Sequence, residues 1–321
     1  MLKNDSRDDE FLLSRIIFLL TYTTKLDIEG LIDKHELAHT ICMNIQRHKS
    51  TQGNSLSDPM EDMSLAETLK LLFNLTHFCP QQSSSFVPAL PHILAVLSKR
   101  QLPDIKPLDP VVTALINATI NIPLDGKETQ ESLFNSGSID HVDRLVVILE
   151  KATNSYPESE LDTTLSPLLT FLRSIYAVAP ENTKQHLQKL LLPSEEDREE
   201  VLGKGKSLPS RLLRLTNNPA TPTLRDLVSG LLFELSDKDA TIFVQNIGYG
   251  LASGFLFQHK IPVPDHLSGS SSQKADGTGI QEKVNPITGQ FLDREANVPE
   301  IEMTQEEKER EAERLFVLFE R

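Results

Sequence analysis

SLAETLKLLFNLTH, residues 64–77, decides the fold. Leu65, Leu69, Leu72 and Thr76 recur at i, i+4, i+7 and i+11. Leu71 and Leu75 widen that side into a broad apolar stripe, the mark of an amphipathic helix. The opposite side carries Lys70, Phe73, Asn74 and His77. Asparagine is a poor residue inside a helix because its side chain competes for the backbone. An Asn beside an outward Phe predicts a surface that meets a partner.

The pattern returns in DPVVTALINATINI, residues 109–122. Asn117 and Asn121 share a face there, with Val112, Leu115, Ala118 and Thr119 roughly opposite. Two such helices about forty residues apart predict stacked repeats of armadillo or HEAT type. One helix of each repeat then lines a groove, where side-chain amides can hold a partner's backbone.

Further helices are predicted at 8–24, 31–47, 86–99, 139–151, 161–178, 183–192, 208–217 and 222–236, with a short pair over 239–257. Sustained period-2 alternation is missing, and the chain has no Trp and four Tyr, so the class is all-α. The first helix is apolar nearly all round, as a helix inside a stack would be.

Residues 1–261 form the expected repeat domain. PVPDHLSGSSSQKADGTG begins a Ser/Gly-rich stretch with little to bury, so 262–303 reads as a flexible linker. A last helix is expected over 304–321. Thr304 and Glu307 make a capping box, and Ala312, Leu315, Phe316 and Phe319 make an apolar stripe. That helix either packs back on the stack or meets a partner.

Composition narrows the function. The 321 residues hold 32 Lys and Arg against 46 Asp and Glu, a formal charge of −14. That speaks against a nucleic-acid surface, which needs dense positive charge, and against an anionic membrane. The longest apolar runs, Ile16 to Leu20 among them, are too short to span a bilayer, and the acidic start is no signal peptide. Cytosol is the default location. Cys42 and Cys79 have no metal spacing and read as buried thiols.

His35-Glu36-Leu37-Ala38-His39 is a literal H-E-x-x-H, which on one helix face would hold zinc with Glu36 as base. Its context is missing: Cys42 and Ile45 stand where the long form of the motif has Gly and His. Two surface or cap histidines are the plainer reading. No phosphate loop or nucleophile elbow is found, so no catalytic or metal residue and no cofactor is assigned. Lys204, Lys206, Arg211, Arg214 and Arg225 form a basic cluster. It pairs with the acidic run at 195–200, or Lys206, Arg211 and Arg214 dock a phosphate or carboxylate.

IGYGLASGFLF at 247–257, NPITGQ at 285–290 and MTQEEKEREAERLFVLFER at 303–321 resemble the synembryn family, most of all its fungal members. LKLLFNLT at 69–76, LLRLTNN at 212–218 and GLLFELS at 230–236 resemble it too. The resemblance implies an armadillo/HEAT-like right-handed helical superhelix. It implies a non-enzymatic guanine-nucleotide exchange factor and folding chaperone for G protein α subunits, in GDP-bound and nucleotide-free forms. Such a protein works in the cytoplasm and at the cell cortex, in receptor signalling, with no direct membrane insertion. In that family the groove grips the C-terminal helix of Gα. By motif, Lys70, Phe73, Asn74, His77, Asn117 and Asn121 would face it, while Leu315, Phe316 and Phe319 would brace the Gα domain. The family extends beyond this chain at both ends, so the resemblance makes it a fragment. Animal members carry acidic, phosphorylatable linker serines; Ser268 and Ser270 to Ser272 lack following acidic residues. An armadillo-like scaffold without exchange activity is the alternative.

Overall fold

The computed structural model describes residues 6–23, 27–51, 59–134, 139–262 and 284–295, together with Arg310. Its helices are α1 (Arg7–Leu20), α2 (Ile28–Asp33), α3 (Leu37–Thr51), α4 (Pro59–Phe78), α5 (Leu90–Lys99), α6 (Pro110–Thr119) and α7 (Lys127–Phe134). They continue as α8 (Asp140–Ser155), α9 (Glu158–Val178), α10 (Glu181–Leu191), α11 (Leu208–Leu215), α12 (Pro222–Leu235), α13 (Ala240–Ile247) and α14 (Tyr249–Gln258). Among the described residues the class is all-α. The expected helix at 304–321 lies outside them, apart from Arg310.

The helices stack in two rows. One row runs α1, α4, α6, α9, α12, each against the next, and α14 follows on α12. The other runs α3, α5, α8, α11 in the same way. Contacts between the rows, such as α3 on α4 and α8 on α9, close a continuous core. This nearest-neighbour order is what helical repeats produce. Helices α4 and α6, which carry the recurring pattern, are neighbours in the first row.

Helix α4 shows how the sequence makes this arrangement. Pro59 opens it, where the missing N–H costs nothing, and Glu61 and Asp62 favour its positive end. Leu65, Leu69, Leu71, Leu72 and Leu75 are fully buried. Each such side chain contributes about 1.5–3 kcal/mol on leaving water. Pro80 follows directly after Phe78 and Cys79 and ends the helix.

Helix α1 meets α4 through polar groups. His48 of α3 is fully buried, with Nδ1 2.5 Å from Glu61 Oε1 and Nε2 3.1 Å from Glu10 Oε1. Thr68 Oγ1 donates to Glu10 Oε1 at 2.7 Å, and Ser14 Oγ lies 3.1 Å from Thr68 Oγ1. Arg47 pairs with Glu10 and Arg7 with Glu61. Each ring nitrogen of His48 thus faces a carboxylate oxygen. Burial pushes the Glu10 carboxyl up, but the hydrogen bond and charge of His48, then Thr68 and Arg47, outweigh it and hold it below the usual range. The outer side of α1 leaves Leu12, Ile16 and Leu19 exposed.

The helix expected at 31–47 is two helices. Glu36 adopts a left-handed φ of 52° and breaks the chain between α2 and α3. His35 and Glu36 therefore precede α3, and only His39 lies on it. The two imidazoles do not share a helix face, so the H-E-x-x-H geometry is not formed. Among the described residues no group of three His, Cys, Asp or Glu is placed to hold a metal ion.

Residues 284–295 fall inside the expected linker, yet they lie against the stack. Tyr249 N donates to Pro286 O at 2.8 Å and Gly250 N to Ile287 O at 3.0 Å. Leu202 N donates to Thr288 O at 3.2 Å, and Phe291 N to Arg198 O at 2.9 Å. The Arg198 guanidinium donates to three backbone carbonyls, those of Gly289, Gln245 and Asn246, at 2.9–3.0 Å. Gly248 permits this approach: its φ is +81°, and a Cβ there would sit 2.9 Å from Ile287 O. Gly248→Ala is expected to destabilise the chain by about 1–3 kcal/mol through backbone strain. Trypsin should then cut after Arg294 sooner than in wild type; an unchanged cleavage rate would refute the anchoring role.

Both cysteines are free and buried. Burial pushes the Cys42 thiol to about 11, so it is unreactive near neutral pH. No helix among the described residues is long and apolar enough to cross a membrane.

Candidate partner-binding surface

The outward residues of α4 join those of α1 in one band of rings. Phe18 and Tyr22 meet edge-on with centroids 5.4 Å apart, and Tyr22 and Phe78 at 6.0 Å. His77 lies 5.1 Å from Phe78 and stacks on Phe73 at 5.9 Å with 8° between the planes. Lys70 Nζ stands 5.4 Å over the Phe18 ring and 2.6 Å from Glu67 Oε1. Edge-to-face pairs of this kind hold one another at about 0.5–1.5 kcal/mol each, which stiffens the band without covering it.

Tyr22 is 61% exposed and Phe78 45%. Such solvent-facing rings on a rigid support are the usual anchors of protein interfaces, where aromatics are enriched and ordering them costs little. Of the residues expected on this surface, Lys70, Phe73 and His77 belong to the band. Tyr22, Phe78 and Phe18 belong to it as well, although the sequence reading did not single them out. Their signal was available: Phe18 and Tyr22 are four apart at the end of α1, and Phe78 directly follows His77.

Asn74 is placed differently from the expectation. It is only 3% exposed, and its Nδ2 donates to Thr21 Oγ1 at 2.8 Å. The Thr21 hydroxyl donates in turn to Phe18 O at 2.6 Å. The next step of the row repeats this. Asn121 Nδ2 lies 3.4 Å from Thr76 Oγ1, and the Thr76 hydroxyl returns to Leu72 O and Phe73 O at 3.0 Å. Each amide therefore fastens its helix to the one before it. The recurring asparagine marks the junction between repeats, because a neighbouring helix covers a side that looks open when one helix is read alone. Asn117 is half-buried on α6.

The expected anion-docking residues stand near one another but are largely engaged. Arg211 Nε donates to Thr153 Oγ1 at 3.0 Å, and its Nη2 lies 3.6 Å from Glu150 Oε1. Arg214 Nη1 donates to Gly203 O and Gly205 O at 3.0 and 2.8 Å. Both guanidiniums shape the loop before α11; Lys206, on that loop, is exposed. In the acidic run at 195–200, Asp197 is turned to serines rather than to this cluster. Asp197 accepts from Ser194, Ser207 and Ser210, which hold its carboxyl below the usual range against the opposing effect of burial. Leu315, Phe316 and Phe319 lie outside the described residues.

Comparison with known proteins places the chain. A family model described as guanine nucleotide exchange factor synembryn matches residues 1–321. A synembryn-like chaperone of Schizosaccharomyces pombe is 29% identical over 99% of this chain and 62% of its own length. The chaperone Ric-8A of Xenopus tropicalis is 25% identical over 98% of this chain and 63% of its own. The chain thus spans a little over three fifths of the length of these relatives.

Proposed function

The chain belongs to the synembryn family of guanine nucleotide exchange factors, and from that premise we propose that it binds the α subunit of a heterotrimeric G protein through the ring band of α1 and α4. The observation that carries this is the band itself. Phe73, His77 and Phe78 of α4, with Tyr22 just after α1, form a connected aromatic surface, and the leucine side of α4 is fully buried. Its occupant would be the C-terminal helix of Gα, an amphipathic helix presenting apolar side chains to the rings, with Lys70 at the edge.

Exchange then follows from linkage and needs no catalytic side chain. A protein that binds nucleotide-free Gα tightly and GDP-bound Gα weakly lowers the affinity for GDP by the same factor. Shifting Gα from almost all closed to almost all open takes about 5.5 kcal/mol of differential binding. Holding the C-terminal helix away from its own domain is a way to supply it. The same grip on an unfinished nucleotide site would serve a folding chaperone. GTP binding would close the domain and release the product.

The test measures binding of this chain to nucleotide-free and to GDP-loaded Gα, beside the rate of GDP release. Tighter binding of the empty form with faster release is the expected result. Equal affinity for the two forms would defeat the exchange reading, since equal binding shifts no equilibrium. It would leave an armadillo-like scaffold.

A further inference from the structure

Helix α14 has the composition of a buried helix and an open side. YGLASGFLF is apolar nearly all round, and such helices are normally covered. Ala252 and Leu256 are buried, and Phe255 packs on Phe233 and Phe243. On another side Phe257 is 88% exposed. Among the described residues, nothing comes within 4 Å of the position a Cβ would take at Gly254, so they leave that side of the helix clear. Ile287 extends the patch: it is 60% exposed, with its Cγ2 3.8 Å from the Cβ position of Gly250.

The path of the chain says what can cover this face. The docked segment holds Glu295 at the start of α14, since Asn285 Nδ2 donates to Glu295 Oε1 at 2.5 Å and Gly250 N to Ile287 O. Residues 296–303 reach at most about 29 Å from there, whereas the ten residues of α14 span about 15 Å. Residues 304–321 can therefore meet any point of α14. Their sequence carries Leu315, Phe316 and Phe319 at helical spacing, and Glu306 and Glu307 ahead of them. The charge of those acids is opposite to that of Lys260, which is exposed just past the end of α14.

We propose that the Phe257 face of α14, with Ile287, is the docking site of the chain's own segment 304–321 through Leu315, Phe316 and Phe319. This concerns the free chain and holds whether or not the α1–α4 band binds Gα. A partner that captures segment 304–321 would first have to lift it from α14.

Hydrogen exchange on the full chain tests it. Amides of 312–319 should be protected in wild type, and Phe257→Asp should speed their exchange at least tenfold while α4, α6 and α9 keep their protection. Phe316→Asp should do the same from the other side. The Phe257 ring is almost fully exposed, so its replacement removes little packing within the stack. Cysteines at Gly254→Cys and Leu315→Cys, oxidised with diamide, should form a disulfide within one chain, as the buried Cys42 and Cys79 do not compete. Unprotected amides in wild type, or protection that survives Phe257→Asp, would overturn the proposal. So would protection or cross-linking that rises with protein concentration, which would make a second copy the occupant.

Discussion

His48→Ala is expected to lower stability by about 3–5 kcal/mol, the usual cost of removing one member of a buried charged group. The loss comes from what remains. Glu10 and Glu61 are both buried, and each would lose an imidazole nitrogen at 3.1 and 2.5 Å. Because repeats rest on their neighbours alone, the damage should be local. Amide exchange in α1 and the first half of α4 should accelerate, while α9 and α12 keep their protection. Acid sensitivity should change as well. In wild type the Glu10 carboxyl lies below its ordinary 4.5, so it stabilises the fold above that pH, and the contribution is lost as pH falls through the folded value. Without His48 the largest opponent of burial is gone. Melting temperature should then rise less between pH 3.5 and 6 than it does in wild type. Equal acid limbs in the two proteins would contradict the assigned role of Glu10.

Tyr22→Ala with Phe73→Ala should weaken Gα binding by about 2 kcal/mol or more, roughly thirtyfold, with little change in melting temperature. Asn74→Ala should do the opposite. Its amide is buried on Thr21, and losing that bond costs about 1–3 kcal/mol of stability. Binding by the folded fraction should stay near wild type. Titrating a Gα C-terminal peptide into both variants, beside thermal melts, separates the two roles. A double variant that still binds normally would remove the ring band as the site. Loss of binding at unchanged stability in Asn74→Ala would return Asn74 to the surface.

The leucine spacing of α4 and its echo in α6 made the all-α stack legible from sequence, because burial is written in side chains. The site was legible in part. Lys70, Phe73 and His77 stood out by phase on one helix. Tyr22 and Phe78 did not, since the band forms between segments more than fifty residues apart. Asn74 misled for the same reason: a stacked helix is covered on more than one side. The break at Glu36 carried no glycine or proline to announce it. Helix α7, KETQESLF, is short and mostly polar, so it showed no periodicity to find. Residues 284–295 looked idle because backbone carbonyls hold them, and carbonyls have no letter in the sequence.

The threonine–asparagine rungs have a mechanical consequence. A rung ties a hydroxyl on or just after one helix to an amide on or just after the next. Sliding one helix past its neighbour by a single turn is a step of about 5.4 Å, far more than a hydrogen bond can stretch. Tilting about the rung keeps the two atoms together. From α1 through α4 to the end of α6 the row is therefore stiff to shear and soft to bending. A load on one end would be taken up as a change of curvature, shared among joints like the leaves of a spring.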